Sequence, residues 1–251
     1  MEDKRGPLEE PAGVWFVNRN EELDLFWKWA TGIPHPGRRS YALIGLRRTG
    51  KTAILHKLFN RLFHEQEQVI PIYISFAHHL HHAKPIDAFQ FAEEYILGYI
   101  RSYLDFRYRQ PSLFRQPLAY DDLYEFTQHV SDDLMLDLFH RYRRTRSAET
   151  SSTYNLVHWA IEVPRGLGFE HQIPSALMID EFQVLTRVHN PDNQTTENLT
   201  NSFQYASESH WAPMLVSGSS ISMLVGRSLG RNALWAISTV VSGAIIPRTH
   251  N

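Results

Sequence analysis

Residues 45–52, GLRRTGKT, match G-x-x-x-x-G-K-S/T at every fixed position, and few folds accept that pattern. Before it, Tyr41, Ala42, Leu43 and Ile44 make a short apolar run that predicts a buried strand. After it, Ile54, Leu55, Leu58, Phe59, Leu62 and Phe63 recur as one wide stripe and predict an amphipathic helix. A chance match to the pattern would not bring both flanks with it. Gly45 and Gly50 permit tight turns, so the N–H groups of Arg47, Arg48, Thr49, Gly50, Lys51 and Thr52 can point into one concavity. The helix opening near Lys51 adds unsatisfied amides and roughly half a positive charge. In such a cradle Lys51 reaches the β- and γ-phosphates as a point charge, and the Thr52 hydroxyl holds Mg²⁺.

The rest of the composition narrows the setting. A chain of 251 residues, 43% hydrophobic and 21% charged, suffices for one α/β domain with a real core. A net charge of -2 gives no global attraction to nucleic acid or to an anionic membrane. With no cysteine there is no disulfide framework, thiolate metal site or thiol nucleophile. The charged start MEDKRGPLEEP lacks the apolar core of a secretory signal. The most apolar run, residues 233–246, is broken by Ser, Thr and Gly and is too short to span a bilayer. A cytoplasmic, membrane-free protein is expected.

Residues 1–13 read as a loose lead-in. Asn18 and Glu21 then have the spacing of a capping box, and Leu23, Phe26, Trp27 and Ala30 line a helix that Gly32 and Pro34 stop. Residues 69–76 predict a second strand, and Pro71 within it argues for a sheet edge. Four imidazoles follow, at His78, His79, His81 and His82. No carboxylate or cysteine lies beside them at ligand spacing, so they read as a solvated turn, with a metal site as the rival. Residues 84–165 are mainly helical in pattern, with Leu123, Phe126, Val130, Leu134 and Leu138 forming one stripe. Arginines at 107, 109 and 115, and at 141, 143, 144 and 146, read as solvated faces, with a nucleic-acid surface as the rival. Residues 189–198 read as a polar loop.

A second informative stretch is residues 173–181, IPSALMIDE, an apolar strand ending in two carboxylates. Open α/β sheets bind ligands at such carboxyl ends. Asp180 suits the hold on Mg²⁺, and Glu181 suits deprotonation of an attacking water. Another strand, residues 214–220, ends in small hydroxyl residues, and Ser219 or Ser220 could contact the γ-phosphate as a sensor or serve only a turn.

Taken together, FVNRNEEL at 16–23, the GLRRTGKT loop, LMIDEFQ at 177–183 and SGSSISM at 217–223 resemble the archaeal-type ATPase family. That family lies in the STAND branch of P-loop NTPases, related to AAA+ ATPases, and the resemblance covers about residues 14–235. It implies an α/β fold with a parallel sheet of order 5-1-4-3-2 flanked by helices. It also implies ATP with Mg²⁺, slow hydrolysis, and switching of a homo-oligomer or an effector protein. By position, the resemblance assigns phosphate and metal to Lys51 and Thr52, metal to Asp180, water to Glu181, and sensing to Ser219 or Ser220. It places Asn18 and Arg19 near the base and ribose. The family's L-Y/F-G-R segment, lid and winged helix have no counterpart after Leu234 and Trp235, so residues 236–251 read as a divergent or truncated tail. Arg227 and Arg231 are the remaining candidates for an arginine finger. Two alternatives stand beside this reading: a nucleotide-binding scaffold without useful turnover, and a DNA-engaging loader module.

Overall fold

The computed structural model describes residues 6–9, 19–37, 39–81, 84–115, 119–147, 152–219, 237–241 and 244–245. In chain order the regular elements are α1 (Asn20–Thr31), β1 (Ser40–Ile44), α2 (Lys51–Glu65), β2 (Ile70–Ser75), β3 (Ile86–Asp87) and α3 (Ala88–Tyr108). They continue as α4 (Tyr120–Val130), α5 (Asp133–Ser147), α6 (Thr153–His171), β4 (Ser175–Asp180), β5 (Val188–Asn190) and β6 (Thr195–Glu197). The last are α7 (Gln204–Ser207), β7 (Met214–Gly218), β8 (Ile237–Val241) and β9 (Ala244–Ile245).

The main sheet runs β2-β4-β7-β1-β8-β9, and every neighbouring pair is parallel except the last. Counting only the parallel strands in chain order, this is 5-1-4-3-2, as the family resemblance implies. Pro71 lies on the edge strand β2, where it faces Ala176 and its missing N–H breaks no second ladder. The sheet continues past residue 235, where the sequence reading drew the domain boundary. Ile237 to Val241 pair in register with Ser40 to Ile44. The apolar run at 233–246 is thus partly a sheet strand, a possibility its length against a bilayer did not test.

Three other expectations change. Helix α1 begins at Asn20 with Arg19 at its N-cap and no side-chain cap bond, so the Asn18–Glu21 capping box does not describe its start. The stripe from Leu123 to Leu138 is two helices, because Ser131 adopts φ 54° and the Asp132 carboxylate accepts from the Met135 amide at 3.0 Å. Residues 189–198 fold as a hairpin, with β5 antiparallel to β6 and parallel to β3 in a second sheet. Asn18, Ser220, Arg227 and Arg231, and Leu234 with Trp235, lie outside the described residues.

The core fills both the sheet and the helices beside it. Phe26 and Trp29 of α1 meet Tyr41 of β1 edge-on, at 5.8 and 6.1 Å between ring centroids. Helix α3 packs along β2 and against α6. Two helical glycines allow tight approach, Gly98 where α3 meets β2 and Gly168 where α6 meets the segment before β7. A Cβ on Gly98 would stand 3.1 Å from Ile74 Cγ1, and one on Gly168 would stand 2.5 Å from Trp211 Cβ. Gly168→Ala is therefore expected to destabilise the fold by roughly 1–3 kcal/mol through overpacking, outweighing the ~1 kcal/mol gained in helix propensity. A lowered urea midpoint with an unchanged slope is the predicted signature.

One buried charge sets a pH dependence. Asp105 of α3 is fully buried, and neither carboxylate oxygen has a hydrogen-bond partner among the described residues. Burial pushes its carboxyl up to about 8, only partly offset by the guanidinium groups of Arg101 and Arg109. The folded state thus holds this proton more tightly than the unfolded chain. The associated stability is fully present below pH 4 and is lost as pH rises through 8. Asp105→Asn should flatten that part of the pH–stability curve and raise stability above pH 8. Chemical denaturation of both proteins at pH 5 and pH 8.5 reads this directly. Among the described residues no helix is long and apolar enough to cross a membrane.

Candidate nucleotide site

The loop after β1 is built as its glycines suggest. Gly50 sits at φ 83° as the N-cap of α2, a conformation a side chain would strain, and Arg48 also has positive φ at 63°. The Thr49 hydroxyl donates to the Leu46 carbonyl at 2.8 Å and closes the turn. The opening amides of α2 have no intrahelical acceptor, so they remain available to an anion. Lys51 is buried and donates to two carbonyls of its own loop, Gly45 O at 3.0 Å and Leu46 O at 2.8 Å. Burial pulls its ammonium pKa down, while the nearby carboxylates of Glu181 and Asp180 oppose that pull and Arg47 reinforces it.

Strand order brings the acids to the loop. β7 lies between β1 and β4, so the carboxyl ends of β1 and β4 flank it on one edge of the sheet. Thr52 Oγ1 donates to Asp180 Oδ2 at 2.8 Å across 128 residues of sequence. Asp180 is buried and also accepts from the Glu181 amide at 3.1 Å, the Ser217 hydroxyl, and the Tyr73 hydroxyl at 3.4 Å. Burial and the adjacent Asp180 carboxylate hold the Tyr73 phenol well above its ordinary range.

Glu181 has φ 56°, an unusual value for a residue other than glycine, and it turns the chain sharply off β4. Its Oε2 accepts from the Gln183 side-chain amide. Gln183 also donates to Ser219 Oγ at 3.2 Å and accepts from the Ser219 amide at 3.3 Å. Arg19 reaches the same loop, donating to Thr49 O at 3.0 Å while pairing with Glu22 at 2.8 Å. The structure thus gathers Gly45, Lys51, Thr52, Asp180, Glu181, Ser219 and Arg19 at one end of the sheet, with Arg47 and Arg48 exposed on the loop.

Sequence reasoning missed three residues here. Ser217 is fully buried, its hydroxyl donating to Asp180 and accepting from the Glu181 amide at 3.4 Å. Tyr73 comes from the edge strand β2, and His56 Nε2 lies 2.9 Å from the Tyr73 hydroxyl. A polar residue at the tip of an otherwise apolar strand is the only signal that Ser217 offered. Of the arginine clusters, Arg109 packs over Phe106 at 4.4 Å and donates to the Phe63 carbonyl, and Arg146 pairs with Glu93. Arg141, Arg143 and Arg144 remain exposed on α5.

An α/β domain with this strand order and loop has the P-loop ATPase fold. A Walker-type ATPase of Pyrococcus abyssi is similar to it, with a TM-score of 0.50 and 17% identity over 95% of this chain and 57% of that one. A Cdc6 protein of Pyrobaculum aerophilum matches with a TM-score of 0.45 and 13% identity over 93% of this chain and 47% of that one. The Orc1 protein of Aeropyrum pernix, solved in complex with DNA, gives 0.47 and 14% over 99% and 52%. The chain spans little more than half the length of these proteins at most. The sequence matches no family model and no curated protein.

Proposed function

We propose that this chain binds ATP with Mg²⁺ and hydrolyses it slowly, acting as a nucleotide-dependent switch of the STAND or AAA+ type. The observation that carries the reading is the 2.8 Å bond from Thr52 to Asp180, which joins the glycine loop to the acidic strand tip. A hydroxyl and a carboxylate so close, both oxygen donors, suit a hard cation such as Mg²⁺. Thr52 and Asp180 would hold that ion, which when bound neutralises charge on the β- and γ-phosphates.

The chain's own residues do the rest. On ATP binding Lys51 exchanges the Gly45 and Leu46 carbonyls for phosphate oxygens, and the first amides of α2 bind the β-phosphate side. Gln183 fixes Oε2 of Glu181, so Oε1 is the atom that takes a proton from the attacking water. Ser219 reports on the γ-phosphate through Gln183, to which it is already bonded. Arg19 closes the base side of the site from α1, with Asn18 beside it in sequence.

A thermal-shift panel of ATP, ADP and GTP, each with and without Mg²⁺, tests the binding half. A shift for ATP that deepens with Mg²⁺ supports it, and no shift for any nucleotide refutes it. Single-turnover hydrolysis then separates a working ATPase from a nucleotide-binding scaffold. Among the described side chains the nucleic-acid reading keeps Arg107 and the α5 residues Arg141, Arg143 and Arg144, since Arg109 and Arg146 are engaged within the fold.

A further inference from the structure

Of the imidazoles after β2, His78 is exposed, as a solvated turn suggests, but His79 is not. Residues Ala77–His81 make a 3-10 turn that carries His78 and His79 over the first half of α3. There a carboxylate fifteen residues beyond His79 and sixteen beyond His78 meets both rings. His78 Nε2 lies 3.3 Å from Glu94 Oε1, and His79 Nε2 lies 3.0 Å from Glu94 Oε2. The two rings lie 3.9 Å apart between centroids. The His79 side chain is only 7% exposed and that of Glu94 19%, so this is not a chance meeting of surface groups.

We propose that His78, His79 and Glu94 form a divalent transition-metal site of the zinc type, separate from the nucleotide site and independent of that reading. Zinc bonds of about 2.0–2.1 Å at tetrahedral angles separate neighbouring ligand atoms by about 3.3 Å. Both histidine-to-carboxylate separations are already near that value. One ligand atom from each of the three residues lies within 4.8 Å of the others, and the exposed His78 ring supplies the remaining adjustment. Two imidazoles and one carboxylate select Zn²⁺-class ions over Mg²⁺ or Ca²⁺, which prefer oxygen ligands throughout. The Gln90 side-chain amide donates to Glu94 Oε1 at 2.9 Å and orients the carboxylate from outside the ligand set.

Three protein ligands leave a coordination position for water or another donor, as in metal sites that bind exchangeable ligands. His78 and Glu94 line a cavity of about 730 Å³, whose wall also includes Asp87, Glu93, Arg101 and Arg146, the last of these paired with Glu93. Ser75 lines the cavity too, and it faces Asp180 in the β2–β4 register. The cavity beside the metal site therefore reaches the strand next to the one that carries Asp180.

The test uses untagged full-length protein stripped of metal with a chelator. Cobalt(II) should bind in one equivalent with the intense visible bands of a four- or five-coordinate ion, and Zn²⁺ should displace it. His79→Ala and Glu94→Gln should each weaken Zn²⁺ binding by roughly tenfold or more. His78→Ala, at an exposed position that cannot unfold the core, should do the same. A His81→Ala, His82→Ala double variant should bind as the parent does. Absence of stoichiometric cobalt binding overturns the proposal. So does binding that survives His78→Ala but is lost in the double variant.

Discussion

Lys51→Ala is expected to remove nearly all nucleotide-induced stabilisation while leaving the ligand-free fold in place. Charge-assisted hydrogen bonds are worth about 1.5–3 kcal/mol each, so losing the ammonium's phosphate contacts costs about two orders of magnitude in affinity. At a nucleotide concentration of about 100 Kd the parent gains about 2.7 kcal/mol, and the variant at the same concentration would gain only about 0.4 kcal/mol. The ligand-free protein should change little, because the Gly45 and Leu46 carbonyls that Lys51 now satisfies belong to a surface loop that water can reach. A titration in which the variant still shows the parent's full shift would show that Lys51 does not meet phosphate.

Glu181→Gln should divide binding from chemistry. The substitution keeps the side chain's shape, and a glutamine carbonyl can still accept the Gln183 amide that now meets Oε2. Affinity should therefore stay within about threefold, while loss of a positioned base slows single-turnover hydrolysis by about 10²–10⁴-fold. Unaltered turnover in the variant would assign the proton to another group. Equal loss of affinity and rate would mean that Glu181 acts on the bound ground state and not on water.

The parts of this fold that local pattern specifies were readable from the chain. β1, its loop and α2 carry period and glycine signals within the twenty-three residues from Tyr41 to Phe63, and Pro71 alone placed β2 on the edge. The acid pair after β4 was legible only in company: an apolar run ending in Asp-Glu is common, and the phosphate loop upstream is what singled it out. What escaped is what depends on contacts across the sheet. Ser217 looks like an ordinary interruption of an apolar strand until β7 is seated beside β4, where its hydroxyl meets Asp180. Glu94 has no local relation to His79, and only the turn after β2 brings them together. The α4–α5 stripe hid its break because Ser131 adopts a left-handed conformation that residue type does not announce. The hairpin at β5–β6 was concealed by polar side chains that suit a loop equally well.

The pairing of β8 with β1 has a practical meaning for anyone trimming this chain. A chain cut at residue 235 would leave the strand that carries the phosphate loop with a bare row of amides and carbonyls along one side. Such an edge recruits other strands, so the shortened protein would tend to aggregate or swap segments. Its nucleotide seat would then rest on a strand held from one side alone.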